Sequence, residues 1–179
     1  MRKFEHFTKT EIETNQCVAL SPLKLYKQER DWTCSIACIR TLLSNIVETS
    51  PSEDWFIKQY KMSHGPYYSH DIKELGMLSQ YDVKFGCDER LDLDGILQLI
   101  QNGYYVMLES MINYAHWMVL LGFYPLADNK DLETSTLLFY DPYYNKIRLV
   151  NADEFLGMWL DGDHWTNNIT NDYIAIKRA

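Results

Sequence analysis

The chain lacks any uninterrupted apolar run close to the roughly 20 residues that cross a bilayer. Its longest such stretch, W-M-V-L-L-G-F-Y at 117–124, is far short, so no transmembrane helix and no membrane insertion are expected. It lacks a C-x-x-C pair: Cys17, Cys34, Cys38 and Cys87 are scattered, and the opening M-R-K-F-E-H-F-T-K-T-E has no apolar segment of the secretory kind. The expectation is a cytoplasmic protein with reduced thiols, no disulfide framework and no zinc site. Positive charge is scarce, with 17 Lys and Arg against 25 Asp and Glu. The net charge of -8 repels phosphate backbones and anionic headgroups, so nucleic acid is not an expected partner. Repeats, low-complexity tracts, linkers and glycine-rich phosphate loops are missing too, and nothing calls for a cofactor.

What is present is the composition of a folded chain: 179 residues, 46% hydrophobic and 14% aromatic, enough for one domain with a substantial core. Residues 1–27 read as an N-terminal arm or edge strand around C-V-A-L. The part from 28 to 103 reads as helical. Ile36, Ala37, Ile39, Leu42, Leu43 and Ile46 recur at three-and-four spacing, predicting a helix over 35–46 that starts at or beside Cys34. Ser50 as cap, Pro51 at the first helical position and Glu53 predict a second helix over 51–61, anchored by Trp55, Phe56 and Tyr60. A third is expected over 70–80, then a strand over 83–87. A fourth helix, 93–101, has Asp92 as cap and Gly103 as a left-handed terminator. From 104 to 179 the pattern turns to strands, at 104–108, 115–124, 136–140, 146–150 and 173–176, interrupted by a short helix at 152–160 opened by Asn151. Helices first and strands second imply an α+β fold, with a mainly antiparallel sheet packed on the early helices.

The chemistry gathers around Cys34. A thiol becomes a good nucleophile when its anion is stabilised, and a helix N-terminus with an imidazole alongside does this. The segment Q-E-R-D-W-T-C-S-I-A-C puts Cys34 at a loop-to-helix junction, with Thr33 as a possible cap and first-turn N–H groups facing the site. Gln28, six residues earlier, offers a side-chain amide to a developing oxyanion. His116 opens an apolar strand, where an imidazole needs a partner or a purpose. Asp141 ends another strand at Pro142, which stops the ladder; if the two strands are neighbours, its carboxylate can hold the imidazole in the tautomer the thiol requires. Trp32 is expected to wall a substrate groove, with Tyr67 and Tyr68 of H-G-P-Y-Y-S-H-D as further lining. Trp117, alternating with His116, belongs to the core, as does Cys38. His64 and His70 lack further ligands at metal spacing and read as loop and helix start. D-G-D-H-W-T-N-N at 161–168 lacks a complete calcium loop and reads as a surface turn.

These residues resemble a known family, the papain-like cysteine peptidases that remove double-glycine leaders during bacteriocin export, and their stand-alone relatives. That pattern is a glutamine, a cysteine six positions on, a distant H-[FWY]-apolar strand ending in glycine, and an Asp-Pro. Here these are Gln28, Cys34, H-W-M-V-L-L-G at 116–122 and Asp141-Pro142, in that order. The D-W-x-C-x-x-A-C string is also similar to a eukaryotic family named for guanylyl cyclase activity, with the same fold. The resemblance implies a papain-like fold and a cysteine peptidase acting on a peptide or protein. It implies Cys34 as nucleophile, His116 as base and acid, Asp141 as orienter, Gln28 in the oxyanion hole, and no metal or cofactor. The glycine that follows the family's cysteine is Ser35 here, which bears on how closely substrate approaches. The same triad would serve an acyltransferase or transpeptidase, and the same fold a binding module without activity.

Overall fold

The computed structural model describes residues 18–19, 24–47, 49–111, 115–124, 135–160 and 171–177. Its elements in chain order are β1 (Val18–Ala19), α1 (Cys34–Leu43), α2 (Glu53–Tyr60), α3 (Ser69–Leu75), β2 (Asp82–Phe85), α4 (Leu93–Gln101), β3 (Tyr105–Ser110), β4 (His116–Tyr124), β5 (Thr136–Asp141), β6 (Lys146–Asn151), α5 (Ala152–Leu160) and β7 (Tyr173–Lys177). Cys17 and the 161–168 segment lie outside the described residues.

All strand pairings are antiparallel, in the order β2-β7-β3-β4-β5-β6. β1 extends the sheet by pairing Val18 with Phe123 and Ala19 with Gly122, beyond Leu120 where the pairing of β3 with β4 stops. Alternation along β4 sends Trp117, Val119 and Leu121 to one face and Met118 and Leu120 to the other. A bulge between Leu120 and Gly122 resets the phase, so Phe123 joins Leu120 rather than Leu121.

Both faces of the central strands are apolar, so each needs a cover of helices. One core joins Ile36, Ile39 and Leu42 of α1, Phe56 of α2 and Ile72 of α3 to Trp117, Val119, Leu138 and Tyr140. The other joins Leu93, Ile96 and Ile100 of α4 and Phe155 and Trp159 of α5 to Val106, Leu108, Met118 and Phe139. α4 lies on the far side of the sheet from α1, because its apolar stripe is what covers the even-numbered residues of β3. β2, from the part read as helical, pairs with β7 at the edge of the same sheet. Among the described residues no helix is long and apolar enough to cross a membrane.

Local signals set most element ends. α4 runs as expected from Leu93 to Gln101; Asp92 caps it by accepting the Gly95 N–H at 2.9 Å, and Gly103 beyond it has φ 84°. Replacing Asp92 with alanine leaves that N–H uncapped and is expected to cost about 1 kcal/mol. A lower urea midpoint at unchanged slope would register the loss. α2 begins later than predicted, because the side chain that caps it is Ser52, accepting from the Trp55 N–H at 3.2 Å, not Ser50. Glu53 does not close a box with a cap; its buried carboxylate accepts the Glu29 N–H at 3.0 and 3.1 Å. Phe56 anchors this helix, whereas Trp55 is 45% exposed. α3 stops at Leu75, short of residue 80, because Gly76 takes a left-handed φ of 69°.

Candidate active site

The chain enters α1 through a tight turn. Thr33 Oγ1 donates to the Arg30 carbonyl at 3.0 Å and accepts from the Arg30 N–H at 3.1 Å. Thr33 therefore holds the cap position without capping: its side chain accepts no hydrogen bond from the first turn, which begins at Cys34. The preceding loop is fastened to the far end of the sheet, where the Gln28 N–H donates to the Pro142 carbonyl at 3.1 Å. Antiparallel pairing of β4 with β5 makes neighbours of the strands that carry His116 and Asp141.

Cys34, His116 and Asp141 come together at one place. His116 Nε2 lies 3.0 Å from Asp141 Oδ1, and Cys34 is near enough to the ring to act on its charge, which leaves Nδ1 as the nitrogen not committed to Asp141. Burial works against a charged ring, but the bonds and charges of Asp141 and Cys34 outweigh it, and the His116 pKa is pushed up from 6.5 to about 9. Asp141 is fully buried. Burial alone would raise its pKa; His116 and Arg148 overcome that, leaving it below the ordinary carboxylate value.

The Asp141 carboxylate is held on every side. Oδ1 also accepts the N–H groups of Tyr143 at 3.0 Å and Tyr144 at 3.3 Å, an Asx-type turn built on Asp-Pro. Oδ2 accepts from Arg148 Nη1 at 2.9 Å. Arg148 has no counterpart in the motif-based reading. The signal for it was its place in K-I-R-L-V, a guanidinium set among strand-forming apolar residues, and only the register reveals its target. It stands opposite Phe139, two residues before Asp141 on the same face.

A cleft of about 390 Å³ opens over Cys34 and His116, walled by Trp32, Tyr68, His64, Pro66 and Met111, with Asp31 at one end. Trp32 and Tyr68 thus stand where a groove was expected. His64 joins them as a wall residue, its ring centroid 6.0 Å from that of Trp32. Tyr67 backs the wall instead of lining it. Its ring lies 6.4 Å from Trp32, its hydroxyl donates to the Ser63 carbonyl at 2.9 Å, and its own carbonyl accepts from Trp117 Nε1 at 2.7 Å. Trp117 and Cys38 are core, as expected; the Cys38 thiol donates to the Trp117 carbonyl at 3.4 Å.

Like Tyr67 and Asp141, the expected site residues Ser35 and Gln28 fall outside the lining of this cleft. Ser35 is 1% exposed, turned into the helix packing, so its hydroxyl is not a substrate contact. Gln28, 7% exposed, bounds an adjoining groove of about 320 Å³ with Lys27, Glu29, Arg30 and Tyr143; the two depressions share Asp31. Its Nε2 donates to the Arg30 carbonyl at 2.7 Å and keeps a second N–H. Among the described residues no group of three or more His, Cys, Asp or Glu could hold a metal ion.

In three dimensions the chain is similar to the peptidase domain of Streptococcus ComA, a bifunctional ABC transporter involved in quorum sensing. The TM-score is 0.61, over 87% of this chain and 98% of that one, at 14% identity. The fold is papain-like. At that identity the likeness is one of fold, and this papain-like α+β chain matches no protein-family model and no curated protein sequence. Its papain-like architecture places a helix N-terminus against the end of an antiparallel sheet, where Cys34 meets His116 and Asp141.

Proposed function

We propose that the chain is a papain-like cysteine peptidase that cleaves a peptide bond in a peptide or protein substrate through a covalent acyl-enzyme. The observation that carries this reading is that Cys34 and His116 line one open cleft, with His116 hydrogen-bonded to buried Asp141. With His116 protonated, the Cys34 sulfur is the anion of an ion pair and attacks the substrate carbonyl carbon. The carbonyl electrons move to oxygen, where the Cys34 N–H and the second Gln28 amide N–H are the proposed donors. His116 then gives its proton to the departing amine as the C–N bond breaks. Water, losing a proton to the same ring, hydrolyses the thioester and restores the pair. Asp141 keeps Nε2 as the donor to itself, so Nδ1 faces the sulfur throughout. No metal or cofactor enters the proposed steps.

Iodoacetamide followed by mass-spectrometric mapping tests the ion pair. Cys34 is expected to be alkylated at pH 6 well ahead of the exposed thiol Cys87. Equal rates at the two cysteines would remove the assignment. Once a peptide substrate is in hand, kcat/KM should decline as pH rises through about 9, because a deprotonated His116 has no proton for the leaving amine.

A further inference from the structure

We propose that Arg148 is a positioning residue that acts through Asp141, fixing the carboxylate plane and offsetting its charge, and so sets the pH range over which Cys34 and His116 stay paired as ions. This rests on the peptidase reading above but assigns a residue that reading does not use.

The carboxylate is fully buried, and three of its contacts converge on Oδ1: His116 Nε2, Tyr143 N–H and Tyr144 N–H. Oδ2 is taken by Arg148 Nη1. With one oxygen committed to a guanidinium anchored in β6, the carboxylate cannot rotate Oδ1 away from the imidazole without breaking a charge-assisted bond. The guanidinium is itself steadied over the Tyr144 ring, 5.9 Å from its centroid, with Lys146 Nζ 4.9 Å from the same centroid. Arg148 lines neither of these two grooves, and its contact with the site is the bond to Asp141.

The charges around the pair decide the direction of the effect. The Cys34 and Cys38 thiols come from α1, the Tyr140 hydroxyl from β5, Glu109 from β3 beside Trp117, and Lys146 and Arg148 from β6. Asp31 and His64 face His116 across the cleft. Among the described residues the cations in contact with Asp141 are protonated His116 and Arg148, and Arg148 is the one outside the proposed ion pair. Removing it makes the site more negative, which opposes formation of the sulfur anion and strengthens the hold of His116 on its proton. The His116 titration therefore moves to higher pH, and the Cys34 sulfur becomes slower to react at pH 6. A residue that only braced the turn would leave both as they are.

The test compares wild type, Arg148→Met and Arg148→Lys by NMR titration of the His116 ring and by iodoacetamide labelling of Cys34. For Arg148→Met the His116 midpoint is expected to rise by about one pH unit, and Cys34 labelling at pH 6 to slow by about tenfold. Arg148→Lys should return both most of the way to wild type and also serves if the methionine variant folds poorly. Unchanged midpoint and labelling rate in Arg148→Met, with only a lower thermal midpoint, would overturn the proposal. If wild-type Cys34 reacts no faster than Cys87, the peptidase reading fails instead, and the His116 midpoint still reports whether Arg148 acts through Asp141.

Discussion

Cys34→Ala is expected to lower peptide turnover by about 10⁴-fold or more, because the acyl-enzyme bond of the proposed cycle is made and broken at its sulfur. The fold should survive. Cys34 is only part-buried at the first residue of α1, and alanine is the best helix former, so the urea midpoint should hardly move. His116 would also lose a partner that helps hold its proton, so its NMR midpoint should fall from about 9. The matched control is Cys38→Ala. That thiol is fully buried, bonded to the Trp117 carbonyl, and pushed to high pKa first by burial and then by Cys34 and Asp141. Its loss is expected to cost about 1 kcal/mol of stability and little activity. Residual turnover in Cys34→Ala at a tenth of the wild-type rate would place the nucleophile elsewhere.

Asp141→Asn is expected to reduce kcat/KM by about 10³- to 10⁴-fold, as when a triad histidine is left in the wrong tautomer. The four groups around this side chain are His116 Nε2, two backbone N–H groups and Arg148 Nη1, and each bond to Asp141 requires an acceptor. An amide offers an acceptor on one side only. Its NH₂ must face either the three donors at Oδ1 or the guanidinium at Oδ2. In the first case His116 turns its lone pair to the amide and its N–H toward the sulfur, which it can no longer deprotonate. In the second, Arg148 loses its buried partner. Measuring kcat/KM from pH 5 to 10 separates the two, since a tautomer defect depresses the whole profile. A loss of less than about tenfold would show that the imidazole is oriented by something other than Asp141.

Much of the fold was legible where a local rule fixes the outcome. Asp92 and Gly103 bracket α4 through a side-chain acceptor and a left-handed φ that few other residues would supply. The Asp-Pro at 141–142 ended a strand because proline cannot donate to the ladder. His116 and Trp117 alternate as a half-buried strand demands. What the sequence could not decide depended on tertiary partners. Ser50 and Ser52 are equally good caps, and the choice fell to the contact of Glu53 with the Glu29 backbone, twenty-four residues away. The stripe on α4 fits either face of a sheet whose strands are apolar on both. Arg148 looked like an ordinary strand cation until cross-strand register brought it to Asp141. Ser35 follows Cys34 in sequence, yet the helix turned it inward; His64 and Met111 became cleft walls through loop closures that no periodicity encodes.

Cys34 and Asp141, the proposed nucleophile and orienting acid, sit on segments more than a hundred positions apart, and the strap between those segments is main chain to main chain, from the Gln28 N–H to the Pro142 carbonyl. A tie of that kind is indifferent to what the side chains on either turn happen to be. The rim of the cleft can therefore change, residue by residue, without pulling the Cys34 sulfur out of register with the His116 ring.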